Sequence, residues 1–170
     1  LISKSIGHFE NRVDFVWHGG EPLLAGKIFF NEILEIERKE RKNNLSQKII
    51  NGVQTNATLI DDDWAQFFAT NNFNVGVSCD GPEKFHDHCR IYKNKTGSFT
   101  NFMSGLKLLK RRELKIGTVC VVTKKSVGFP EELAEFFYQN GFCSYHPKAC
   151  YEFDNSGFLA PFAITPEEYT

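Results

Sequence analysis

Val13-Asp14-Phe15-Val16-Trp17-His18-Gly19-Gly20-Glu21-Pro22-Leu23-Leu24 carries the architecture of the chain in miniature. Val13 to Trp17 is an apolar run that reads as a buried β-strand. Two glycines straight after a strand let backbone approach a ligand with no Cβ in the way. Glu21 then sets a carboxylate at the carboxyl end of the strand, where parallel α/β folds hold ligands. The plainer reading of these residues is a strand-to-helix turn in which Glu21 favours the helix N-terminus. The other strand ends decide between the two.

Outward from this stretch, apolar β-branched runs alternate with longer amphipathic ones. Ile28–Arg41 reads as a helix, with Ile28, Phe29, Ile33 and Ile36 near helical spacing. Lys48–Thr55 is a strand, and Asp61–Asn71 a helix capped by Asp61, with Trp64, Phe67 and Phe68 inward. Asn74–Cys79 is a strand, followed by a long loop from Asp80 to Gly97. Ser98 caps a helix over Phe99–Arg112. Ile116–Thr123 is a strand. Pro130 opens the helix Glu131–Asn140, and Gly141 ends it. Phe142–His146 is one more strand. Five such alternations argue for a parallel sheet. Pattern alone leaves both a doubly wound sheet and a barrel open.

The chain has 170 residues, enough for one domain, and its 41% hydrophobic content supports a core. A net charge of −1 gives no general electrostatic case for nucleic acid or an anionic membrane. The basic cluster Arg38 to Lys42 sits at a helix end, where cations are favoured. No apolar run approaches the roughly 20 residues of a membrane span. Five cysteines without Cys-x-x-Cys spacing suggest neither a disulfide framework nor a zinc knuckle, and point to a reduced, cytoplasmic protein. The chain opens without methionine and stops on a helix start, Thr165-Pro166-Glu167-Glu168. It reads as a piece of a longer protein. Residues 1–147 form the regular α/β portion, and 148–170 an irregular connection out of it.

Chemistry in such a fold lies just past the strands. After the second come Gln54, Thr55 and Asn56. The third ends Val77-Ser78-Cys79-Asp80-Gly81-Pro82, with Phe85-His86-Asp87-His88-Cys89-Arg90 following. Arg90 is a forked donor suited to a carboxylate. His86 to Cys89 invite a metal reading, but neighbours in one short loop rarely converge on one ion. His86 and Asp87 read instead as groups that tie the loop down. His146, Lys148, Cys150 and Glu152 are polar where the last strand finishes.

Together, Trp17-His18-Gly19-Gly20-Glu21-Pro22-Leu23-Leu24, Gln54-Thr55-Asn56, and Gly76 to Pro82 through His86-Asp87 to Arg90 resemble radical S-adenosylmethionine (SAM) enzymes with a SPASM-type extension. Within these, the chain is similar to anaerobic sulfatase-maturating enzymes and peptide maturases, over about residues 13 to 125. The resemblance implies a partial (β/α)6 barrel with its first unit missing. It assigns Gly19, Gly20 and Glu21 to the segment that binds the SAM amino group. Ser78 falls on the methionine carboxylate or ribose side, and Arg90 pairs with the SAM carboxylate. Gln54 and Thr55 line the cavity. Two positions depart from the pattern: Ala57 stands where glycine is common, and Cys79 where leucine is.

The family's cluster motif, Cys-x3-Cys-x2-Cys, is absent. The resemblance places it, with the ligands of a [4Fe–4S] cluster, ahead of residue 1, so the fragment alone is expected to be inactive. Cys150 reads as a spare thiol. In the intact enzyme an electron cleaves SAM, and a deoxyadenosyl radical abstracts a substrate hydrogen. The implied partners are a peptide or protein substrate and an electron donor such as flavodoxin or ferredoxin. The alternatives are a radical SAM enzyme acting on a small molecule, and a degenerate barrel that survives as a binding module. A hydrolase reading finds no Gly-x-Ser-x-Gly elbow.

Overall fold

The computed structural model describes residues 1–9, 11–41 and 46–169. Lys42 of the basic cluster lies outside the described residues. A short helix α1 (Ile2–His8) precedes β1 (Arg12–Trp17). A 3-10 turn over Pro22–Ala25 leads into α2 (Gly26–Arg41), β2 (Lys48–Thr55), α3 (Asp62–Thr70) and β3 (Asn74–Ser78). Next come α4 (Glu83–Cys89), α5 (Phe99–Arg111), β4 (Ile116–Val122), α6 (Pro130–Gln139), β5 (Ser144–Ala149) and α7 (Pro166–Tyr169).

All five strands are parallel and stand in the order β1-β2-β3-β4-β5. A doubly wound sheet must reverse its strand order somewhere. This one never does, so every crossover steps the same way and the sheet curls into a half-barrel. Strand order therefore settles what the sequence pattern leaves open.

The two faces of the sheet differ in chemistry. Val53, Val75, Val77, Ile116, Cys120 and Val122 are buried against the helices. There they meet Phe30, Phe68 and Phe102, each fully buried. On the concave face Gly52, Gln54, Gly76, Ser78 and Gly117 are only half-buried. Side chains alternate along a strand, so each strand gives one set to the core and one to the hollow. That is why β2 and β3 mix valine with glycine, glutamine and serine.

Several elements differ from the sequence reading. The segment 80–97 is not one loop, because α4 folds within it. Only Phe85 and His86 of α4 are buried, so it has too few apolar positions to show a period. Ser98 does not cap α5 with its side chain. Asp87 does: its Oδ1 accepts from Phe99 N at 2.8 Å. The last strand begins at Ser144 rather than Phe142, and continues past residue 147 to Ala149. Residues 150–165 form no helix or named strand, yet they are tied to the barrel. Ile164 N donates to Cys150 O, Lys124 N donates to Phe162 O, and Ala160, Ala163 and Ile164 are buried. Thr165 and Glu168 cap α7 reciprocally, Thr165 N to Glu168 Oε2 at 2.8 Å and Glu168 N to Thr165 Oγ1 at 3.3 Å.

Candidate cofactor site at the strand ends

β1 ends at Trp17, and the chain turns through Gly19 at φ 95° and Gly20 at φ 52°. A Cβ at either glycine would meet nothing within 4 Å, so the turn needs glycine for its dihedrals and not for space. His18, Gly19 and Gly20 are exposed at the rim. Glu21 closes the turn. Its Oε1 accepts from Leu23 N at 3.2 Å and from Thr55 Oγ1 at 2.6 Å, and its Oε2 from Asn56 N at 2.8 Å. The carboxylate thus ties the tip of β1 to the tip of β2. Thr55 is 1% exposed, so it braces Glu21 from beneath rather than lining the hollow.

Ala57 follows this brace at φ 60°, a conformation that glycine adopts without strain. Thr55 Oγ1 accepts from Ala57 N at 3.0 Å and holds it there. The departure from the family pattern is accommodated locally.

On the concave face Gln54 Nε2 donates to Ser78 Oγ at 3.0 Å. A Cβ on Gly76 would collide with Gln54 Oε1, so Gly76 makes the space in which Gln54 crosses to β3. An isolated glycine inside a strand is the sequence signal for such a close approach. Ser78 Oγ accepts from Gln54 and donates to no group among the described residues. Its proton is free for an acceptor in the hollow.

Asp80 follows on the same side. It is 4% exposed, accepts from Val121 N at 2.8 Å, and takes Arg90 side-on: Nε to Oδ2 at 2.7 Å and Nη2 to Oδ1 at 3.0 Å. Sequence reasoning missed this pairing, although both residues were in view. The side-on pair occupies one edge of the guanidinium, through Nε and Nη2. Among the described residues Nη1 makes no hydrogen bond, and the Arg90 side chain stays 25% exposed. Arg90, Asp80, Cys89, Thr123, Cys150 and Glu152 line a cavity of about 470 Å³.

Burial disfavours the thiolate form at four of the cysteines. Burial pushes Cys79 and Cys120 up to about 12, and it also raises Cys89 and Cys150. None is a ready thiolate ligand or nucleophile. Among the described residues no three His, Cys, Asp or Glu side chains are grouped to hold a metal ion. His86 is a buried neutral imidazole.

The model of the Radical SAM superfamily matches residues 3–137. The chain belongs to the radical SAM superfamily. A cysteine-type anaerobic sulfatase-maturating enzyme of Clostridium novyi is 31% identical over 99% of this chain and 45% of its own length. A serine-type anaerobic sulfatase-maturating enzyme of Bacteroides thetaiotaomicron is 34% identical, over 99% of this chain and 45% of its own length. The solved structure of native anSMEcpe with bound AdoMet superposes with a TM-score of 0.86 at 28% identity. It is covered over 46% of its length, and this chain over 99%. The same protein with AdoMet and a peptide gives 0.88 at 29% identity, over 99% of this chain and 46% of that one. The chain thus spans less than half the length of these relatives.

The family's cofactors are SAM and a [4Fe–4S] cluster. The residues fit the first: exposed glycine backbone, a serine hydroxyl with a free proton and a half-used guanidinium share one rim. They do not fit the second, since the five cysteines contain no Cys-x3-Cys-x2-Cys.

Proposed function

We propose that this chain is the SAM-holding half of a radical SAM enzyme that removes a hydrogen from a peptide or protein segment during its modification. One observation carries the reading. The tip of β1, Ser78 and Arg90 stand at the same end of the sheet, and each has an unused polar group. Exposed Gly19 and Gly20 backbone suits an ammonium. The free Ser78 proton and Arg90 Nη1 suit a carboxylate. SAM carries both groups at one end. Gln54 orients Ser78, Thr55 orients Glu21, and Glu21 holds the glycine turn against β2.

When bound and reduced by one electron, SAM supplies the hydrogen-abstracting chemistry. This chain's residues position it and exclude water. The cluster ligands lie outside these 170 residues, which on their own do not cleave SAM. We place the protein in the cytoplasm, with a small electron-transfer protein as donor. Residues 148–170 serve as the connection from the barrel to a further region. Peptide work is favoured over small-molecule work because six of the relatives at 30–34% identity are named sulfatase-maturating enzymes.

The experiment uses the full reading frame, reconstituted with iron and sulfide without oxygen. SAM, a reductant and peptides bearing cysteine or serine are added. Release of 5′-deoxyadenosine that rises with peptide, together with a mass change in the peptide, is expected. Deoxyadenosine release that ignores every peptide would sink the peptide reading. A reconstituted protein with no SAM cleavage at all would favour the binding module.

A further inference from the structure

We propose that His86 is a positioning residue for Arg90: acting through Ser98, it fixes the Arg90 backbone so that the guanidinium turns its unused edge to the cavity at the strand ends. The inference rests on the reading of Arg90 as a SAM-carboxylate partner.

His86 is 1% exposed, on a helix of seven residues. Its Nε2 lies 3.1 Å from Ser98 Oγ, and Ser98 Oγ donates to Arg90 O at 2.7 Å. A hydroxyl has one proton. Since that proton goes to the Arg90 carbonyl, Ser98 Oγ must accept from His86, and Nε2 carries the hydrogen. Nδ1 is then a bare acceptor. It is buried and has no partner among the described residues.

An unmet buried acceptor is destabilising, because it gives up water and gains no donor. A phenylalanine would avoid that cost and pack as well, since the imidazole sits among rings, 5.6 Å from Phe99 and 5.1 Å from Phe102. Packing therefore does not account for histidine here. Its Nε2–H does, because it is the group that reaches Ser98.

Arg90 is consequently held at three points. Its N donates to His86 O at 2.9 Å, and its carbonyl accepts from Ser98 N at 3.1 Å as well as from Ser98 Oγ. Its head is fixed by Asp80, which β4 in turn holds through Val121 N. Burial, aided by the neighbouring Arg90 charge, lowers the His86 pKa to about 4. The imidazole thus keeps the neutral form that this relay needs.

The test uses the full-length protein with its cluster reconstituted. His86→Phe keeps an aromatic ring and removes the donor. His86→Gln returns an N–H at similar reach. Ser98→Ala removes only the hydroxyl, and serves if His86→Phe fails to fold. Two quantities are read: SAM affinity by anaerobic calorimetry, and exchange of the Arg90 Nε–H by 15N NMR. His86→Phe and Ser98→Ala should each lose about tenfold in SAM affinity, the loss expected of one net hydrogen bond of about 1.4 kcal/mol. Both should speed Arg90 Nε–H exchange, with iron content unchanged, and His86→Gln should recover most of each effect. Wild-type affinity, or unaltered Arg90 exchange, in the folded variants would overturn the inference. If Arg90→Ala also binds SAM like wild type, the reading of Arg90 itself fails, which is a separate result.

Discussion

Glu21 has both carboxylate oxygens engaged inside the protein, by Leu23 N, Thr55 Oγ1 and Asn56 N. Hydrogen bonds to an ionised acceptor contribute about 1.5–3 kcal/mol each. Glu21→Gln leaves one acceptor oxygen and sets an NH2 against either Asn56 N or Leu23 N. We expect a loss of about 2 kcal/mol in urea unfolding, with SAM binding weakened as the Gly19–Gly20 turn loosens. Arg90→Ala acts on the ligand instead. A desolvated carboxylate left unpaired costs about 2–5 kcal/mol, so SAM affinity should fall by that much in calorimetry, with iron content unchanged. Lysine at 90 should recover only part, being a point donor without the fork. Residue identities at the rim were readable in the sequence because strand ends announce themselves. Their partners were not. Nothing local to Glu21 says that Thr55, 34 residues away, takes its oxygen, and nothing local to Arg90 says that Asp80 holds its head.

Between elements, the close contacts are made by glycine. A Cβ on Gly105 would collide with the Ala57 carbonyl, so α5 lies directly on the turn after β2. Gly105→Ala gains up to about 1 kcal/mol of helix propensity. It also forces α5 off backbone that cannot move aside, a cost of about 1–3 kcal/mol. The second effect wins, and the melting temperature should fall. A polar link joins α2 to the sheet. Glu37 accepts from Asn51 Nδ2 at 3.0 and 2.9 Å, and Asn51 Oδ1 accepts from Trp17 Nε1 at 2.8 Å. Burial raises the Glu37 pKa above 4.5, so the folded state binds this proton more tightly than the unfolded chain. Its contribution is full below about 4.5 and is lost as pH rises through the folded value. Glu37→Gln should remove that decline, as read by urea unfolding at a series of pH values. The strands were legible because valine-rich runs between amphipathic spans have few other meanings. Helix α4 was not, since it is stabilised by contacts rather than by a periodic face. The start of β5 was misread for a related reason. Phe142 is apolar, but it packs on Phe137 outside the ladder, and pairing begins where Gly117 leaves room for Ser144.

For the molecule as a whole, a half-barrel has two edges and a hollow. Among the described residues β1 pairs on one side only, and Val16 on it is 70% exposed. Beside it Leu1, Ile2, Phe15, Trp17 and Ile36 line an apolar groove of about 400 Å³. An unpaired apolar edge recruits other chains. These 170 residues should therefore associate with rising concentration in sedimentation experiments, and Val16→Lys should suppress the effect.

The central claim is that SAM sits on the rim formed by the β1 tip, Ser78 and the α4 loop. Hydrogen–deuterium exchange of the reconstituted full-length protein, with and without SAM, addresses it most directly. Protection should appear at 18–24 and 78–91. A separate groove along α5, lined by Met103, Leu106, Lys107 and Lys110, should exchange as before. Unchanged exchange at both rim segments under saturating SAM, or protection confined to the α5 groove, would contradict the account.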